Sequence, residues 1–201
     1  MTASFNQIIG IKEDANWKDI VRAYDKKMEE LVNNISHYDT RGVNPEENPQ
    51  IKEWTSKLIQ LTNEIRKILT QRIDNAVALL EEKIDSLEAE ITNASDELFV
   101  KNKSNKKEKI AELKRNLESI KANLNSADEE NQIDYGRACE EIQCAALNAR
   151  TGLEDHTGGF CKFINWILSV IGISSVKIKT DTENQIDAAE KTIYDSISPL
   201  K

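Results

Sequence analysis

Between Gly42 and Gly136 the chain has no glycine, and between Pro49 and Pro199 it has no proline. Glycine weakens a helix through backbone entropy, and proline through a missing N–H and a steric clash. So long a stretch without either suits long helices, and it lacks the corner residues of a turn-rich β fold. The apolar residues inside it agree. Ile51, Trp54, Leu58, Leu61, Ile65 and Ile68 recur mainly at three- and four-residue steps, and Val77, Leu80, Ile84, Leu87, Ile91, Ala94 and Leu98 do the same. Each series is the stripe of an amphipathic helix. Around Arg72 to Ala76 the register slips, the pattern of a coiled-coil stutter. Asn48 before Pro49 is a helix start: a capping side chain, then Pro at the first helical position. The spacing predicts one helix over 49–98, with a break near Thr70 as the competing reading.

Residues 99–105 (FVKNKSN) interrupt this pattern, and Asn105 with Glu108 offers a new cap. Ile110, Leu113, Leu117, Ile120 and Leu124 then form a second seam. The expected fold is all-α: a long antiparallel helical hairpin, coiled-coil-like, with its tip at 99–105, packed with shorter N- and C-terminal helices. At the N-terminal end, 4–11 reads as a helical turn, 17–36 as a helix capped by Asn16, and 37–48 as a loop. After the hairpin, Ser126 and Glu129 make a capping box for a third helix or a pause. Its inner face is Ile133, Ala138, Ile142, Ala145, Ala146 and Ala149. A glycine-bearing loop at 151–159 precedes an apolar helix at 160–171. Thr180 with Glu183 opens a last amphipathic helix carrying Ile186, Ala189, Ile193 and Ile197. This divides the chain into overlapping segments 1–70, 49–150 and 151–201.

Charge and motif content narrow the chemistry. The 201 residues carry 27 Lys and Arg against 35 Asp and Glu, a net charge of −8, which argues against nucleic acid as a partner. The first residues lack a basic stretch followed by a long apolar core, so no cleaved signal peptide is expected. The apolar run 160–173, at 14 residues, would span only about 21 Å as a helix against about 30 Å of hydrocarbon, too short to cross alone. Cys139, Cys144 and Cys161 are an odd number, which reads as reduced thiols in a cytosolic setting. With His156 they could be imagined around zinc, but a five-residue separation on a helix points Cys139 and Cys144 apart. No Gly-rich phosphate loop, GxSxG or HExxH is present. Glu81 with Glu82 and Glu140 with Glu141 fall on faces that need solvent anyway. The expectation is a non-enzymatic protein with no cofactor, no metal and no catalytic residue.

What remains are surfaces. An exposed hairpin stripe could accept a partner helix or a second copy, centred on Trp54, Leu58, Leu87, Leu113 and Leu117. Lys101, Lys103, Lys106 and Lys107 crowd the expected tip, where they could meet anionic lipid or an acidic partner. Phe160, Phe163, Ile164, Trp166, Ile167, Val170 and Ile171 make a helix apolar around much of its circumference, which reads as core ahead of membrane interface.

Two resemblances add a context. Phe5, Ile8, Ile9, Gly10 and Ile11, then Ile20 with the Ala23–Tyr24 pair, resemble the opening of a J-domain over roughly the first seventy residues. That family uses a His-Pro-Asp triplet to stimulate the ATPase of its heat-shock chaperone. Here His37, Tyr38 and Asp39 stand nearest to it, without the Pro and after a longer helix, which implies a degenerate J-like fold used as a scaffold. The stretch GGFCKFINWILSVIGI followed by KTDTENQ is similar to the tail regions of Legionella-type effectors exported by a type IV secretion system. That resemblance implies an uncleaved C-terminal export signal, action in the host cell cytoplasm and a host protein as partner.

Overall fold

A computed structural model describes residues 4–39, 48–128, 130, 132–151 and 158–173. All regular structure among them is helical. Most of the loops expected at 37–48 and 151–159 and the expected last helix lie outside the described residues.

Local capping sets the first three helices. Ser4 and Gln7 form a reciprocal capping box for α1 (Phe5–Ile9), which closes on Gly10 at φ +74°. The Asp19 N–H donates to Asn16 Oδ1 at 3.0 Å, which starts α2 (Trp17–Asp39). Asn48 Oδ1 accepts from the Gln50 N–H at 2.9 Å and starts α3 (Pro49–Thr92) with Pro in the first turn. Helix α2 runs one turn further than expected and takes in His37, Tyr38 and Asp39, since no breaker precedes Gly42.

Helix α3 has 44 residues and is about 66 Å long. It is unbroken through Thr70. Its fully buried positions step 61, 65, 69, 73, and then 76 and 80. Each four-residue step turns the stripe by about 40°, so three of them carry it about 120° around the axis. The apparent register slip is therefore a change of partner. Leu61 and Ile65 pack with Ile9, Tyr24 and Leu31 of α1 and α2. Leu69, Ile73, Ala76, Leu80 and Leu87 pack into the second, larger core.

The hairpin turns earlier than the sequence suggests. Asn93 closes α3, and Asp96 Oδ1 accepts from the N–H groups of Leu98 at 2.8 Å and Phe99 at 3.2 Å. Helix α4 (Glu97–Leu124) starts there, so the tip is at 93–96, and residues 99–105, Asn105 included, are helical. The expected seam accordingly stops short of Leu98, which is exposed. Two caps competed on local grounds, and pairing across the hairpin favours the earlier one. Lys103 meets Glu90, Lys107 meets Glu88 at 3.1 Å, Lys114 meets Glu81 at 2.8 Å, and Lys121 meets Asp74. The last three rungs are spaced by seven on both helices, the heptad logic by which flanking charges set register. The lysines expected at a basic tip thus lie along α4, and Lys103 and Lys107 face carboxylates of α3.

This ladder makes a specific prediction. Lys114 is held above its ordinary pKa, first by its hydrogen bond to Glu81 and also by Glu118. Lys114→Glu should lower the thermal midpoint, and adding Glu81→Lys should recover part of the loss. Both effects should shrink in 1 M salt, where the screening length falls to about 3 Å. Equal midpoints for the single and double variants would remove the ladder from the account of register.

Helix α5 (Tyr135–Arg150) starts at Asp134, whose Oδ1 accepts from the Arg137 N–H at 2.8 Å. It does not start at Ser126, which instead closes a turn with the Asp128 N–H. Its inner face is buried as expected: Ala138, Ile142, Ala145, Ala146 and Ala149, with Ile133 just ahead of it. These small residues admit α6 (Gly159–Ile171), which buries Phe160, Cys161, Ile164, Ile167, Leu168 and Ile171. The apolar helix is core, and of its aromatic residues Trp166 is the exposed one. Buried Arg150 donates from Nη1 to Asn165 Oδ1 at 3.0 Å, tying α5 to α6. Among the described residues no helix is long and apolar enough to cross a membrane.

Candidate functional site

The first turn of α2 and the end of α6 meet at an aromatic junction. Asn16 caps α2 and so places Trp17 at its first position, facing α6. The Trp17 indole Nε1–H donates to the Gly172 carbonyl at 3.0 Å. The Arg72 guanidinium lies over the same ring, 4.3 Å from its centroid, and Nη1 donates to the Val170 carbonyl at 3.0 Å. Tyr135 packs edge-on against Trp17 at 6.4 Å and against Tyr24 at 5.9 Å. Four helices are joined through four side chains and two backbone carbonyls.

Each contact has a local cause. Helix α6 ends in a Schellman motif: the Ile173 N–H donates to Leu168 O at 2.9 Å, and the Gly172 N–H to Ser169 O at 3.1 Å. Gly172 sits at φ +93°, in the left-handed region. The motif leaves the Val170 and Gly172 carbonyls facing out of the helix end, where a cation and an N–H donor are favoured by the helix dipole. Arg72 and Trp17 supply them. Burial draws the Arg72 pKa down from its ordinary value, and the cation is retained because arginine starts so high.

Burial also raises the phenol of Tyr24, the phenol of Tyr135 and the thiol of Cys139, which shares a hydrogen bond with Tyr135. The pH consequence has a definite sign. The unfolded chain releases its thiol proton near pH 8.5 and its phenol protons near pH 10, while the folded chain keeps them longer. The unfolded state then binds fewer protons, so stability falls as pH rises. The thermal midpoint should be flat near neutrality, decline from about pH 8.5 and drop more steeply past pH 10. Tyr135→Phe should flatten the steeper limb, and an unchanged limb would show that this phenol is not buried as described.

Beside the junction, α2 and the α6 terminus border an open groove of about 720 Å³. Its apolar wall is Trp17, Val21, Gly172 and Ile173. Along one side of α2, Lys18 and Arg22 form a basic edge one turn apart, with Asp25 in the following turn and Asn16 and Ser169 completing the rim. A smaller cleft of about 370 Å³ between α3 and the end of α4 is lined mainly by polar groups, with Arg66 and Lys67 among them. Neither lining contains a His or a Cys among the described residues.

The expected site residues fall elsewhere. Leu87, Leu113 and Leu117 are buried in the larger core, so they hold the hairpin together and offer no surface. Trp54 and Leu58 are half-buried against α1 and α2. Lys101 is exposed and Lys106 half-buried, beside Lys103 and Lys107 in the ladder. His37 lies in the last turn of α2, and the side chains of Tyr38 and Asp39 are outside the description. None of the three cysteines is in a disulfide, and no group of three His, Cys, Asp or Glu among the described residues could hold a metal. Trp17 and Val21 fall in the helix expected over 17–36, but the groove was not legible, because its other wall is about 150 residues away. Arg72 was legible only as a charge inside the slipping register. No known protein family, no curated protein and no solved structure matches the chain.

Proposed function

We propose that this chain is a non-enzymatic protein-binding module and that it receives an amphipathic segment in the groove between α2 and α6. The observation that carries the reading is the groove itself: an apolar wall of Trp17, Val21 and Ile173 beside the Lys18–Arg22 edge. An apolar stripe flanked by carboxylates would bury its stripe on the wall and set its charge against the edge, the helix-in-groove mode of recognition. The aromatic junction supports this use, because a pre-formed wall keeps the ordering cost of binding low. From the sequence resemblance of the C-terminal stretch to Legionella-type effector tails, we further propose export by a type IV system and a host-cell protein as the partner. The seam residues Leu87, Leu113 and Leu117 are not part of this surface.

The test is affinity capture from eukaryotic lysate with the full chain as bait. A saturable protein retained by wild type and by Leu98→Asp, and lost with Val21→Asp or Arg22→Glu at unchanged thermal midpoints, is the expected outcome. The same capture by all four baits, or by none, would overturn the groove as the binding surface.

A further inference from the structure

The groove has a basic edge in a chain whose net charge is −8, and the described chain leaves α6 at Ile173, which is itself part of the groove wall. The next residues are 174–179, and after them comes the amphipathic stretch 180–197. Position 180 is seven residues beyond Ile173, so it lies within about 25 Å of the wall even when the connection is fully extended.

The pattern of 180–197 is complementary to the groove in two respects. Ile186, Ala189, Ile193 and Ile197 share one helical stripe. Glu183, Asp187 and Glu190, at spacings of four and three, fall in one row beside that stripe. On α2, Trp17 and Val21 make an apolar row at a spacing of four, and Lys18 and Arg22 make a basic row beside it at the same spacing. An apolar row with acids alongside thus faces an apolar row with bases alongside. Over the whole stretch the charges are Asp181, Glu183, Asp187, Glu190 and Asp195 against Lys191.

We propose that the chain's own segment 180–197 docks in the groove between α2 and α6, as an intramolecular occupant that a partner must displace. This inference rests on the reading of the groove as a docking surface. It makes the binding site self-covered: Ile193 and Ile186 take the apolar wall, and Asp187 with its neighbours takes the Lys18–Arg22 edge. The short 174–179 connection keeps the local concentration of the segment high, so the contact can form without being tight.

Hydrogen exchange on the full chain, read by mass spectrometry at two protein concentrations tenfold apart, tests it. Amides of 16–25 and 183–197 should exchange at least about tenfold slower than in Ile193→Asp, with α3, α4 and α5 unchanged between the two proteins. Arg22→Glu should loosen 183–197, and Asp187→Arg in that background should restore protection. Unprotected rates for 183–197 in wild type, or a 16–25 region indifferent to Ile193→Asp, would overturn the proposal. Protection that grows with concentration would also overturn it, by assigning the groove to the segment of a second copy. The two readings fail separately. If 183–197 is unprotected while capture still depends on Val21, only the intramolecular occupant is lost. If capture and protection are both insensitive to Val21→Asp, the groove is lost as well.

Discussion

Replacing Leu87 by Asp should remove more than about 4 kcal/mol of stability, a large share of the roughly 5 to 15 kcal/mol of an ordinary domain, and move the urea midpoint far down. Leu87 is 2% exposed and belongs to the larger core, which α3 shares with α4, α5 and α6. The substitution deletes an aliphatic side chain from that core and puts a carboxylate among the apolar residues there. The companion variant Leu98→Asp sits at the tip, 68% exposed, and should change stability by no more than about 0.5 kcal/mol. Far-UV circular dichroism with a urea titration separates the two. A normal transition for Leu87→Asp would mean that the α3–α4 seam is open to solvent, and the seam would return as a candidate partner surface.

Gly172→Ala should cost about 3 to 4 kcal/mol, the second large effect. A left-handed conformation alone costs an L-residue about 1 to 2 kcal/mol. Here the added methyl would also stand 2.0 Å from Trp17 Cδ1 and 2.1 Å from Nε1, so the indole must move. Moving it breaks the bond to the Gly172 carbonyl and takes the ring from under Arg72. Gly10 provides the control, since it has φ +74° and nothing within 4 Å of a built methyl. Gly10→Ala should therefore cost only the conformational part, about 1 to 2 kcal/mol. If the two glycines prove equal in urea melts, Trp17 does not press on the end of α6 as described.

These two sites differ in how far they could be read from sequence. Leu87 belongs to a heptad series that any helical chain would display, and its burial follows from periodicity. Gly172 looks like a routine helix terminator. Its intolerance comes from Trp17, 155 residues away. The same contrast runs through the fold. The caps at Asn16, Asn48 and Ser4 are satisfied by residues two or three positions on, so the local signal is the whole cause. The hairpin tip is different. Asp96 and Asn105 are both plausible caps, and Lys103 meeting Glu90 across the hairpin favours the earlier turn. The lysines that suggested a basic tip misled for the same reason, since their acidic partners lie on another helix.

Sequence alone determined that this chain is helical, where most of its helices begin, and which face of each is apolar. Those properties follow from backbone capping and from the 3.6-residue repeat, and both act over a few residues. Only the tertiary structure decided that α3 changes partners midway, that α6 is core, and that Arg72, Trp17 and Tyr135 meet at the end of α6. It also decided that a groove opens beside them. Those outcomes depend on which apolar faces find each other across long loops, and one-dimensional spacing carries no record of that choice.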